Sequence, residues 1–200
     1  GQKPGCGEDG TQMLEVVAGV LYREDGTFLA CQRPAHKARG LCWEFPGGKL
    51  EAGETLAQAL ARELREELAI TVQPGAALWD TVYAYPDVTV HLTFLPACLA
   101  GQTPRALEHH ALRWLHPAEA RLADFCPADQ RFLQALQQVE NLRLNRHLQR
   151  GGPLVGDNQA RVAHDGHGDH NALAHAAGKL VRILLHAALR IGNLDHPELF

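Results

Sequence analysis

Long apolar runs are missing from this chain of 200 residues. None approaches the roughly 20 residues that a membrane-spanning helix needs, so no membrane partner is expected. An excess of positive charge is missing too. Nineteen Lys and Arg face 23 Asp and Glu, a formal net charge of −4. A dedicated binder of nucleic-acid polymer is usually basic, so no such partner is expected. A nucleotide substrate remains compatible with this balance, because a bound metal reverses the local sign. The five cysteines, Cys6, Cys31, Cys42, Cys98 and Cys126, are odd in number and form no C-x-x-C spacing. That argues against a disulfide framework and a structural zinc site, and for reduced thiols in a cytoplasmic protein. The first residues lack the basic-then-apolar order of a signal peptide. The single methionine, Met13, stands directly before a strand-like run and reads as a natural start. Residues 1–12 then read as a leader or cloning remnant.

Hydrophobic residues make up 46% and charged residues 21%, as in globular chains. Residues 13–144 hold 11 of the 12 aromatics and read as one mixed α/β domain. Val16–Tyr22 is a continuous apolar run, as a strand buried on both faces would be. Asp25-Gly26 marks a turn into a second strand, Thr27–Gln32. Residues 55–68 combine good helix formers with helical periodicity. Strands are expected at Trp79–Tyr85, Val88–Phe94 and Ala111–Leu115; in the second of these, apolar and polar residues alternate strictly. Pro117–Leu122 and Pro127–Val139 each place proline at a first helical position. Residues 145–200 hold 7 of the 12 histidines and one aromatic, Phe200. They read as a Gly/Asp/His-rich linker followed by one helix over 172–191, too little for a second core. The spacing of His164, His167, His170 and His175 matches no zinc motif closely.

The chemistry-bearing segment is GGKLEAGETLAQALARELREELAI, residues 47–70. On the helix, Glu63, Glu66 and Glu67 fall at i, i+3 and i+4 and share one face. Leu56, Leu60, Leu64 and Leu68 form an apolar face whose centre lies roughly 110° away. The carboxylates therefore sit at the rim of the buried side, where clustered negative charge is costly. Arg62 and Arg65 point elsewhere on the wheel. A hard divalent cation, Mg²⁺ or alternatively Mn²⁺, fits such a trio and also takes substrate phosphates. Gly47, Gly48 and Gly53 let backbone approach a ligand, and Arg33 and Lys49 bracket the loop as phosphate contacts.

Gly48, five residues, Glu54, seven residues, then Arg62-Glu63-Leu64-Arg65-Glu66-Glu67-Leu68-Ala69-Ile70 resembles the Nudix box G-x5-E-x7-R-E-U-x-E-E-x-G-U. Only Ala69 departs, standing where the box has the glycine that ends the helix. The stretch QRPAHKARGLCWEFPGGKLEAGET is similar to the MutT branch of that family, and the likeness covers about residues 13–140. The resemblance implies a Nudix-type α/β/α sandwich with a mixed β-sheet, here with a C-terminal extension. It implies attack of a metal-activated water on an inner phosphorus of a nucleoside triphosphate, giving monophosphate and pyrophosphate. Glu63, Glu66, Glu67 and the Gly48 carbonyl would bind Mg²⁺, and Glu54 would pair with Arg62 to brace the loop. Glu108 would be a further carboxylate, metal ligand or base. Arg33 and Lys49 would contact phosphates, and Phe45, Tyr85 and Asp129 would line the base pocket.

Asp129 stands where MutT-like proteins have a base-reading asparagine. An ionised aspartate only accepts hydrogen bonds, which suits an exocyclic amine; a protonated one recovers a donor, which burial would favour. The substrate that the MutT likeness implies is oxidised dGTP (8-oxo-dGTP), as in nucleotide-pool sanitation and mutation avoidance. CTP or 5-methyl-dCTP is the alternative. A nucleotide-sensing module without catalysis is a second class, and the intact glutamate trio favours the enzyme.

Overall fold

The computed structural model describes residues 13–149. The expectations for residues 1–12, for the linker and for the helix over 172–191 lie outside them. The described residues fall in two compact units, one ending at Gln134 and one beginning at Ala135. The sheets and the cleft described below belong to the first.

Its sheets are built from seven strands: β1 (Met13–Leu21), β2 (Phe28–Gln32), β3 (Trp43–Glu44), β4 (Gly47–Lys49), β5 (Trp79–Ala84), β6 (Thr89–Ala97) and β7 (Ala111–Leu115). Four form a mixed sheet in the order β4-β1-β6-β5, and three form an antiparallel sheet in the order β3-β2-β7. The mixed character comes from β1 and β6, which run parallel with Val17 opposite Thr93. A two-residue turn leads into β2, where the Asp25 carboxylate accepts from the Thr27 N–H at 2.9 Å and Gly26 takes φ +83°. Helix α1 (Leu56–Leu68) lies on one face of the sheets, and α2 (Pro127–Gln149) begins on the other.

Side-chain alternation assigns the two faces. Val17, Leu21 and Leu95 meet Ala59, Leu60, Leu64 and Leu68 of α1 in one apolar cluster. Each fully buried leucine there contributes about 1.5–3 kcal/mol. On the opposite face Phe45, Phe94 and Phe132 pack ring to ring, with Phe94 stacked on Phe132 at 4.1 Å. The result is an α/β/α arrangement, as the sequence implies.

Three local differences have physical reasons. Strands β3 and β4 are too short, and too interrupted by Pro46 and glycine, to show alternation. Residues 117–122 turn instead of forming a helix, and only Leu122–Asp124 closes a 3₁₀ turn. The helix starting at Pro127 runs on past Val139 to Gln149.

Candidate active site

Helix α1 starts on a capping box. Thr55 accepts from the Gln58 N–H, and the Gln58 side chain accepts from the Thr55 N–H. It ends at Ala69, which adopts φ 56° and ψ 34°, the left-handed conformation that the box usually assigns to glycine. The turn survives the substitution: the Ala69 N–H reaches the Arg65 carbonyl and the Ile70 N–H the Leu64 carbonyl. The carboxylates of the last two turns therefore keep their places.

Those carboxylates face a cleft of about 780 Å³. Arg33, Phe45, Gly47, Gly48, Lys49, Arg62, Glu63, Glu66, Glu67, Tyr85, Glu108 and Asp129 all border it, whereas Gly53 and Glu54 do not. Gly48 has a steric duty. A methyl group on it would collide with the Glu63 carboxyl group, so a side chain on strand β4 there would push that carboxylate out of its place. Glu67 is the most constrained of the trio. Its Oε2 is buried without a hydrogen-bond partner among the described residues. Burial pushes its carboxyl up to about 7, assisted by the negative charges of Glu63, Glu44 and Glu108 and opposed by His109. Glu66 is 56% exposed. A bare buried oxygen, a carboxylate laid on a glycine and a third carboxylate open to solvent are ligand types that suit a hard cation, although among the described residues no three of them converge into a ready-made metal site. Arg62 offsets part of the crowded negative charge, at Glu63 and Glu66, and the upward shift of Glu67 relieves part of the rest.

Arg62 corrects its wheel position. Its long side chain swings back to Glu63, with Nη1 2.7 Å from Oε1, and comes within 3.6 Å of Glu66. The rest of the guanidinium grips Glu54 through Nε at 2.7 Å and Nη2 at 2.9 Å, and Nη2 also donates to the Lys49 carbonyl. Glu54 in turn accepts from the Glu51 N–H. Arg62, together with that N–H, holds the Glu54 carboxyl well below its usual range, at about 2. This fork ties the loop of residues 49–54 to α1 and thereby fixes β4 against Glu63.

The far wall is polar. Arg33 donates from Nη1 to Glu44 at 2.7 Å and from Nε to the Ala38 carbonyl at 2.9 Å. Asp129 is buried and accepts from the Phe45 N–H at 3.2 Å. Burial and the nearby Glu44 charge push its carboxyl well above the usual carboxylate range. The Tyr85 hydroxyl accepts from the Ala128 N–H at 3.0 Å, and burial pushes it up to about 12. Arg39 lies over the Tyr85 ring at 4.1 Å, held by Asp87 at 3.1 Å. Phe45 borders the cleft, yet its ring belongs to the aromatic core and the residue is 3% exposed. Lys49 is exposed at the rim.

A loop before β7 completes the site. The Arg105 N–H donates to the Leu68 carbonyl and the Leu107 N–H to the Glu67 carbonyl, satisfying open carbonyls at the end of α1. This hangs Glu108 at the cleft rim, 3.4 Å from Lys37, and puts His109 behind Glu67. Glu44, Arg39 and His109 were not legible as site residues. A carboxylate between two aromatics, as in Trp43-Glu44-Phe45, is the one signal that could have pointed to Glu44.

Similarity to known proteins agrees with this geometry. Residues 13–136 match the family model of the NUDIX domain. The chain is 39% identical over 132 residues to the CTP pyrophosphohydrolase of Escherichia coli (strain K12), covering 66% of this chain and 97% of that one. It is 32% identical over 128 residues to the 8-oxo-dGTP diphosphatase of the same strain, covering 63% and 98%. Among solved structures, the solution structure of the E. coli ORF135 protein aligns with a TM-score of 0.57 at 37% identity, covering 68% and 96%. The MutT protein from Methanosarcina mazei Go1 shares the fold, with a TM-score of 0.58 at 21% identity, covering 66% and 96%.

Proposed function

Because this chain belongs to the NUDIX family of hydrolases, we propose that it is a Mg²⁺-dependent nucleoside triphosphate diphosphatase acting on 8-oxo-dGTP or a closely related nucleotide. The observation that carries this reading is the buried, unpartnered Oε2 of Glu67 beside Glu63 and the bare Gly48. Glu63, Glu66, Glu67 and the Gly48 carbonyl would hold the metal. When bound, the metal neutralises charge across the bridging oxygen and makes water a better nucleophile. Water attacks an inner phosphorus, the bridging P–O bond breaks, and the products are the nucleoside monophosphate and pyrophosphate. Glu66 and Glu108, 56% and 51% exposed, are the carboxylates that solvent reaches, and one of them takes the proton of the attacking water. Lys49 and Arg33 hold phosphate oxygens, with Arg33 aimed by Glu44 and the Ala38 carbonyl. Tyr85 and Asp129 contact sugar and base, while Phe45 backs that pocket from the core.

Asp129 supports the purine assignment. Burial raises the Asp129 carboxyl, which favours its protonated form, and a protonated carboxyl offers one donor and one acceptor, as the amide of asparagine does. That pair matches the N7–H and O6 of 8-oxoguanine. Were Asp129 ionised in the complex, it would favour an amine such as cytosine N4. The likeness to a CTP pyrophosphohydrolase keeps CTP and 5-methyl-dCTP as the second reading. With 8-oxo-dGTP as substrate, the enzyme would cleanse the nucleotide pool of a mutagenic precursor. The test is pyrophosphate release from 8-oxo-dGTP, dGTP, CTP, 5-methyl-dCTP and a nucleoside diphosphate sugar, ranked by kcat/KM, with Mg²⁺ and with EDTA. Release only with metal, led by 8-oxo-dGTP, is expected. Release that persists in EDTA, or turnover confined to the diphosphate sugar, would overturn the assignment.

A further inference from the structure

We infer that His109 is a positioning residue that sets the separation between Glu67 on the metal side of the cleft and Glu44 on the phosphate side. The inference deepens the proposed function and rests on it for the meaning of those two sides. The His109 side chain is 4% exposed, which is a costly place for an imidazole. Its Nε2 lies 3.6 Å from Glu44 Oε1 and 3.7 Å from Glu67 Oε2, so a single ring edge faces both carboxylates. Each carboxylate has a task beyond this contact. Glu44 holds Arg33 through its other oxygen at 2.7 Å. Glu67 offers the cleft a bare buried oxygen.

The ring has little freedom to leave. On one side of it, the Leu107 N–H is bonded to the Glu67 carbonyl at 3.0 Å. On the other, the His110 N–H is bonded to the Gln32 carbonyl at 2.9 Å. The imidazole is thus pinned between the end of α1 and the end of β2 by backbone bonds on both flanks. An apolar side chain of equal size would fill the space but leave two buried carboxylates facing each other with no donor between them. At 3.6 and 3.7 Å the Nε2 edge lies beyond hydrogen-bond reach of both oxygens, and it stands between the two carboxylates as a polar wedge that keeps either from swinging toward the other. Partners behind metal ligands orient them in this way, and losing one typically weakens metal binding or activity by about 10–100-fold.

Asparagine and glutamine separate donor position from bulk and polarity. The amide of glutamine reaches about where Nε2 lies, whereas that of asparagine stops near Nδ1. Mn²⁺ binding to the full chain without nucleotide, followed by the loss of the free-ion electron paramagnetic resonance signal, is the readout. Melting temperatures are compared alongside it. His109→Gln is expected to bind Mn²⁺ within about threefold of the parent, and His109→Asn and His109→Leu about tenfold or more weaker. The kcat values should follow the same order. Equal affinity in all four proteins overturns the inference. So does equal weakening by Gln and Asn, which would mean that ring shape alone matters. Nucleotide turnover does not enter the Mn²⁺ titration. A parent protein that hydrolyses no triphosphate would defeat the proposed function, while the titration would still decide the role of His109.

Discussion

Replacing Ala69 by glycine should stabilise the protein without altering its chemistry. Ala69 holds φ 56° and ψ 34°, where the Cβ of an L-residue crowds the following carbonyl. That conformation costs roughly 1–2 kcal/mol for an L-residue and nothing for glycine. Glycine gains freedom in the unfolded chain, which offsets roughly 0.5–1 kcal/mol. The net gain is about 0.5–1 kcal/mol. Unfolding entropy near 2.1 cal/mol/K per residue, over a cooperative unit of roughly 120 residues, gives about 0.25 kcal/mol per degree. A rise in Tm of about 2–4 °C follows. Calorimetric melts of the full chain with and without the substitution would measure it, and kcat/KM should not move. Ala69→Val should shift Tm in the opposite direction, because a branched side chain fits that conformation worse. An unchanged or lowered Tm in Ala69→Gly would refute the reasoning: the helix end would then carry no strain.

Other perturbations probe the cleft directly. Gly48→Ala sets a methyl group against the Glu63 carboxyl group, and should abolish Mg²⁺-dependent turnover while a melt still shows a cooperative fold. Glu67 is raised in the metal-free protein from 4.5 to about 7, so its contribution to stability is full below pH 4.5 and is lost as pH rises through 7. The Tm increase produced by Mg²⁺ should accordingly be larger at pH 8 than at pH 6, and Glu67→Gln should remove that difference. His91 sits between Asp80 and Glu15, both at 2.8 Å, which raises its pKa above 6.5. Its stabilisation, under about 1 kcal/mol for such an exposed group, is present below pH 6.5 and fades as pH climbs through the raised value. A pH series of melts should show His91→Gln lacking that segment. Asp129→Leu, which removes donor and acceptor alike, should change the ratio of kcat/KM for 8-oxo-dGTP to that for CTP by about tenfold or more, and an unchanged ratio would remove Asp129 as the base reader.

The helix and its metal face were legible because each rests on short-range rules. Leucines at a helical period, a Thr55 cap and glutamates three and four apart determine α1 without reference to the rest of the chain. The bracing pair of Glu54 and Arg62 came from the resemblance, and the structure joins them at 2.7 Å. What escaped depends on contacts between distant segments. Phe45 lies next to the glycine pair, yet whether its ring faces ligand or core is decided by Phe28, Phe94 and Phe132. Arg62 defied its wheel angle because a guanidinium on a long stem can cross a neighbouring turn. His109 takes its place only because the loop before it attaches to the end of α1, an attachment that no periodicity announces.

The parallel pairing of β1 with β6 has a further consequence, for the order of events in folding. Its partners, such as Met13 and Thr89, are far apart along the chain, and β1 also pairs with β4, which carries Gly48. Contacts between segments so remote form late and slowly. A fragment carrying α1 alone would own the three glutamates but neither the Gly48 seat nor the support behind Glu67. A cation held by the trio would therefore arrive as a guest in a finished house; it would not serve as the nucleus around which the chain collapses.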